Sequence, residues 1–208
     1  MNIFLYVLDT LADWEIAYLT AEINTGRYFK KNISPVKIVK VGNNMSGIKT
    51  FGGMEIFPDI DVDHIDLHNG DLILLPGADT WLNGNNHKII DKISENLSNK
   101  DITIAAICGA TTALADHGML DTLNHTSNDL EFLKMFCKNY KGEKYYENKP
   151  ATIDGNLITA SGLAPLEFTY EVLKKLNIME TDTLNAWYQL YTTREPRYFY
   201  DLMRSLEV

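Results

Sequence analysis

The sequence predicts an α/β fold with a doubly wound, mainly parallel sheet and a helical C-terminal extension, and three observations carry that reading. Apolar runs of strand length alternate with helix-patterned stretches from residue 2 to residue 176, the order that builds parallel βαβ units. One such run, Thr103-Ile104-Ala105-Ala106-Ile107, stops at Cys108 and the small residues Gly109 and Ala110 before helix-forming sequence resumes. After Asn177 the chain turns to Trp187, Tyr188, Tyr191, Tyr198, Phe199 and Tyr200, in two helical stretches broken near Pro196. We draw one α/β domain over residues 1–178 and a helical extension of that domain over 179–208. At 208 residues and 45% hydrophobic, the chain can bury one sizeable core and does not demand a second domain.

The elements follow in order. Residues 2–8 form an apolar strand, and polar residues 9–13 lead into a helix patterned by Ile16, Leu19, Thr20 and Ile23. Glu15 falls in its first turn. Residues 36–41 read as a second strand, and the glycine-rich stretch that follows leads into a short hairpin around residues 50–56. The acidic segment 59–68 predicts a short helix with His64 and His68 one turn apart. That spacing suits two metal ligands, but no third ligand lies nearby and the surroundings look like a solvated face. Residues 71–75 are a third strand ending in Pro76-Gly77-Ala78, and 88–97 an amphipathic helix. The strand 102–107 precedes a helix over 111–115 that closes at His117-Gly118. Residues 120–127 read as a strand and 130–136 as a helix. Residues 145–152 and 156–160 read as a strand pair around Asp154-Gly155, and 166–176 as the last helix of the domain.

Composition excludes several partners. The net charge is −9 and no basic stripe appears, which argues against nucleic acid and anionic membranes. Met1 to Leu8 lacks the positive n-region of a secretory signal, and no apolar run approaches the length of a membrane span. The two cysteines, Cys108 and Cys137, have neither metal-ligand spacing nor a disulfide framework. The expectation is a soluble cytoplasmic protein without metal or cofactor, acting on a small molecule.

Cys108 is the chemical focus. A nucleophile on a strand-turn-helix elbow needs small neighbours, which Gly109 and Ala110 supply, and the helix amino terminus there favours a thiolate. The competing reading is a buried structural cysteine at a strand end. In a parallel sheet the first turn containing Glu15 lies at the same carboxyl edge as Cys108, although an acidic first-turn residue also complements a helix dipole. The glycine turn at Gly77 and Ala78 can aim N–H groups at an oxyanion, completing a hole begun by the Gly109 amide. Pro-Gly is equally ordinary turn punctuation.

Ala106-Ile107-Cys108-Gly109-Ala110, Leu75-Pro76-Gly77-Ala78 and Asp13-Trp14-Glu15, in this order, resemble the ThiJ/PfpI superfamily over about residues 1–178. That superfamily's flavodoxin-like domain is shared with class I glutamine amidotransferases. The resemblance implies a flavodoxin-like sandwich, a glutamate in contact with the cysteine at Glu15, and a homodimer, which the aromatic tail also favours. A glutaminase of this fold takes its histidine and glutamate late in the chain, yet no histidine follows His125 here. Nor does a histidine follow Cys108, as it does in peptidase-like members; that place is Gly109. The remaining candidate base is His125, with Asn128 as the alternative match to the family's position and a structural strand histidine as the competing reading. The resemblance leaves two function classes: a cysteine-dependent hydrolase or related carbonyl chemistry, and a redox-responsive stress protein whose thiolate is oxidised.

Overall fold

The computed structural model describes residues 1–97 and 101–207; Val208, the last residue of the predicted extension, lies outside them. The chain forms β1 (Asn2–Val7), α1 (Asp13–Thr25), β2 (Lys37–Gly42), β3 (Ile48–Lys49), β4 (Glu55–Ile56), β5 (Ile60–Asp61), β6 (Leu72–Leu75) and α2 (Lys88–Leu97). There follow β7 (Thr103–Ile107), α3 (Ala110–Asp116), α4 (Leu130–Phe136), β8 (Ala151–Asp154), β9 (Leu157–Ala160), α5 (Pro165–Leu176), α6 (Thr181–Thr193) and α7 (Arg197–Ser205). A seven-stranded sheet runs β5-β2-β1-β6-β7-β9-β8 with helices on both sides, and only β8 is antiparallel to its neighbour. Strands β6 and β7 are buried along their whole length, which is why they read as unbroken apolar runs rather than alternating ones. Because the chain passes from β2 on one side of β1 to β6 on the other, the carboxyl ends of β1, β6 and β7 border the crevice where such sheets carry their sites.

Three elements differ from the sequence expectation. Segment 59–68 is not an α-helix: two residues join β2 as β5, and Val62–His64 makes one 3-10 turn capped by the Asp61 carboxylate. Ile65 and Leu67 are buried between exposed neighbours, so the stretch runs extended. His64 and His68 therefore share no helical face; His64 Nδ1 lies 2.6 Å from Asp61, and His68 lies 3.6 Å from Asp66. Among the described residues no group of histidine, cysteine and carboxylate side chains could hold a metal ion.

Residues 120–127 are not a strand, and no ladder to β9 is open to them, since β9 pairs with β7 on one side and β8 on the other. The segment instead lies alongside, with one isolated bridge from His125 to Tyr146 and a hydrogen bond from Thr126 N–H to Thr159 Oγ1 of 2.8 Å. The strand predicted from residue 145 begins only at Ala151, after Pro150, whose missing N–H cannot join the ladder. The turn of the pair is Gly155-Asn156, with Gly155 at φ 57°.

The extension is part of the same packed body. Helix α1 packs on α5, α5 on α6 and α6 on α7. Fully buried Trp187 donates from Nε1 to Glu22 Oε1 at 3.0 Å, and Arg27 pairs with the same carboxylate. Tyr18 meets Trp187 and Tyr191 edge-on, at ring separations of 6.4 Å and 5.3 Å. A buried carboxylate is tolerated only when so partnered, so α1 and α6 hold each other in place.

Candidate active site

Cys108 follows β7 with φ 58°, a left-handed backbone unusual for a residue with a side chain. Its N–H donates to Ala160 O at 2.9 Å, and Thr111 N–H donates back to Cys108 O at 3.1 Å. The turn is thus fixed from both sides, with α3 starting two residues later. Gly109 has no room for a side chain: a Cβ there would lie 2.8 Å from Ala78 O. The chain after β6 is consequently pressed against the elbow, and Trp81 Nε1 anchors it through a 2.7 Å bond to Pro76 O.

Glu15 lies in the first turn of α1 and is fully buried. Its Oε2 accepts from Gly77 N–H at 2.6 Å, whereas Oε1 has no hydrogen-bond partner. Two glycines close around this carboxyl and the sulfur. A Cβ on Gly77 would lie 2.5 Å from Glu15 Oε2 and 2.8 Å from Cys108 Cβ. A Cβ on Gly162 would lie 2.7 Å from Cys108 Sγ and 2.9 Å from Glu15 Oε1. Sulfur and carboxyl are thus brought together as expected, with backbone on either side.

The proton affinities depart from expectation in one respect. Burial raises the Glu15 carboxyl to about 7, although the adjacent Cys108 thiol and the bond from Gly77 pull the other way. Burial and the negative charge of Glu15 push the Cys108 thiol up to about 11, against the hydrogen bonds from Asn128 and Gly109. The helix amino terminus, expected to favour the thiolate, is therefore outweighed by burial beside a carboxylate. The other thiol, Cys137, is buried, donates to Thr112 O at 3.3 Å and is raised to about 12 by burial.

The structure does not bring His125 to the sulfur. Its ring is fully buried, with Nδ1 2.7 Å from Leu123 O and Nε2 2.7 Å from Tyr140 Oη. Burial lowers its pKa, so the ring stays neutral as a structural tie. Asn128, three residues on, takes the place instead. Gly162 N–H donates to Asn128 Oδ1 at 2.9 Å, which orients the amide so that Nδ2 donates to Cys108 Sγ at 3.3 Å. The oxyanion arrangement also changes, because the Gly77 N–H is already bonded to Glu15. Ala78 and Gly109 remain beside the sulfur, both lining a cavity of about 330 Å³ with Cys108 and Glu15 in its wall.

Sequence reasoning missed Gly162 and the aromatic wall of this cavity, made by Trp14 and Phe51 stacked at 5.9 Å. A glycine directly after an apolar strand was the available signal for the first. Phe51 gave none, because it arrives from the loop of the β3–β4 hairpin.

Comparison with known proteins identifies the family. The model of the DJ-1/PfpI family matches residues 1–175. The Bacillus subtilis protein named uncharacterized protease YoaZ is 50% identical over 205 residues, 99% of this chain and 97% of its own. Drosophila melanogaster dj-1beta is 28% identical over 147 residues, 68% of this chain and 75% of its own. The crystal structure of a thiJ/pfpI family protein from Bacillus anthracis is 51% identical with a TM-score of 0.95, covering 100% of this chain and 99% of that one. With its elbow cysteine, its buried glutamate and a match over most of its length, the chain belongs to the DJ-1/PfpI family.

Proposed function

We propose that the protein is a cysteine-dependent hydrolase of small acyl substrates, with Cys108 as nucleophile and Glu15 as its proton partner. The observation that supports this best is the pairing of a strained elbow cysteine with a buried carboxyl of pKa about 7, at the wall of a cavity. A base works best when its pKa lies near the operating pH, and the Cys108 thiol is protonated at neutrality and needs one. Glu15 takes the thiol proton as sulfur bonds to the acyl carbon, and the carbonyl oxygen becomes an oxyanion held by the Ala78 and Gly109 amides. Collapse expels the alcohol or amine, which leaves with the proton from Glu15. Water, deprotonated by Glu15, then cleaves the thioester, releasing the acid and restoring the thiol. Asn128 holds the sulfur in place and moves no proton.

Glutamine itself is a poor candidate under this reading. Ammonia departure is served by an imidazole, worth roughly 10²- to 10⁴-fold, and both nitrogens of His125 are engaged elsewhere. We further place the protein in the cytoplasm, where its two free thiols stay reduced, and among the described residues no helix is long and apolar enough to cross a membrane. Pairing with a second copy is supported by the exposed Phe199 and Tyr200 of α7; sedimentation showing only monomer at micromolar concentration would reject it.

A second reading is a thiol that responds to peroxide. Asn128, Gly109 and a protonatable Glu15 surround the sulfur with hydrogen-bond donors suited to sulfinate oxygens. Two equivalents of hydrogen peroxide convert the thiolate through sulfenate to sulfinate, each releasing one water. Intact mass spectrometry separates the readings. Incubation with activated esters should leave an acyl group on Cys108 that turns over, whereas peroxide oxidation without any ester turnover favours the second reading.

A further inference from the structure

The cavity at Cys108 has a chemistry of its own beyond the nucleophile. Its wall carries Trp14, Phe51, Leu82 and Phe132, and among the described residues that line it the charged side chains are the acids Glu15 and Asp79, with no lysine, arginine or histidine. Trp14 and Phe51 are 52% and 47% exposed yet stack at 28°. This wall is held in place by the hairpin: Phe51 N–H donates to Leu11 O at 3.0 Å, and Gly52 N–H to Asp13 Oδ2 at 2.7 Å. Exposed aromatic faces fixed beside a reactive group favour a flat or branched apolar partner. A carboxylate entering the same space loses hydration and meets like charge without a cation in compensation.

We propose that the substrate is an ester whose acyl group is uncharged and aromatic or branched aliphatic, seated against the wall that Trp14 and Phe51 form, and that acyl groups bearing a carboxylate are rejected. This rests on the hydrolase reading of Cys108. At about 330 Å³ the cavity is at the small end of ligand sites, so a phenyl-bearing acyl chain fits. The chemistry is that given above: the sulfur–acyl bond forms, the alcohol leaves with a proton, and water later releases the acid.

The test uses p-nitrophenyl esters that share one leaving group and differ in acyl group: 3-phenylpropanoyl, acetyl and succinyl with its free carboxylate. Acylation of Cys108 is followed by intact mass and turnover by nitrophenolate release. We expect kcat/KM for the phenylpropanoyl ester to exceed that for the succinyl ester by at least about tenfold. Trp14→Ala and Phe51→Ala should narrow the lead of phenylpropanoyl over acetyl by about threefold to tenfold. Turnover of the acetyl ester through Cys108 with no preference between phenylpropanoyl and succinyl overturns the specificity alone. Absence of Cys108 acylation by any of the three overturns the hydrolase reading and this inference with it. Wild-type rates decide the matter even if a Trp14 or Phe51 variant fails to fold.

Discussion

Cys108 and His125 sit in two polar clusters that differ in what each leaves open. Around His125 both ring nitrogens are matched, and a Cβ on Gly142 would lie 2.9 Å from the ring. Around Cys108 one carboxyl oxygen of Glu15 has no hydrogen-bond partner, and a cavity reaches the sulfur. The first arrangement ties a loop to its neighbours; under the proposed function the second keeps a proton mobile and a nucleophile reachable. A residue's chemical type therefore says less about its role than how fully its hydrogen-bonding capacity is used. An imidazole with both nitrogens occupied is scaffold, and a glutamic acid with a vacant oxygen is a proton store.

The largest test of that contrast is the thiol itself. Cys108→Ser should abolish iodoacetamide labelling of the folded protein near pH 8, while Cys137→Ser should leave it intact. Labelling that persists in Cys108→Ser would show that the buried thiol is the reactive one.

Glu15 comes next. Its native pKa of about 7 lies above its ordinary value of 4.5, so between those values the native state keeps a proton that the unfolded chain releases. Stability consequently falls as pH rises through that window. Glu15→Gln should be more heat-stable than wild type at pH 8 by on the order of 1–3 kcal/mol, with no such advantage at pH 4. It should also lack the rise in alkylation rate expected of wild type as pH passes about 7. Parallel melting curves at both pH values would contradict the raised carboxyl.

The smallest effects sharpen the comparison most. Asn128→Ala should slow Cys108 alkylation by about threefold to tenfold, the equivalent of one hydrogen bond near 1 kcal/mol. His125→Gln should leave the alkylation rate unchanged and cost about 1–3 kcal/mol in urea unfolding. A reversed pattern, with His125→Gln slowing the thiol, would return the imidazole to the site.

Much of this was legible in the residues. The apolar runs of β1, β6 and β7 announce a buried parallel sheet, and the Cys108-Gly109-Ala110 stop announces the elbow. The false strand at 120–127 has the composition of one, but both edges of β9 are taken by β7 and β8, and the segment makes only an isolated bridge from His125 to Tyr146. Likewise the 59–68 segment holds histidines one helical turn apart, yet burial of Ile65 and Leu67 drew it into extended form. The misplaced base has a similar origin: His125 and Asn128 are three residues apart, and the bonds of His125 to Leu123 and Tyr140 and of Asn128 to the Gly162 backbone decide which one meets the sulfur. Contacts between residues distant in sequence decide such matters, and a pattern read along the chain does not contain them.

The bond between Glu22 and Trp187 spans 165 positions, and that separation has a consequence for the order of assembly. Synthesis delivers α1 long before α6. Until then the nascent chain carries Tyr18 and an acid destined for burial on an uncovered helix, while every residue lining the Cys108 cavity, the last being Phe132, is already made. A chain stopped between α5 and α6 thus retains all the chemistry and lacks its cover. Such a product presents the sticky surface on which quality-control proteases and chaperones act, so the aromatic tail protects the lifetime of the site without touching it.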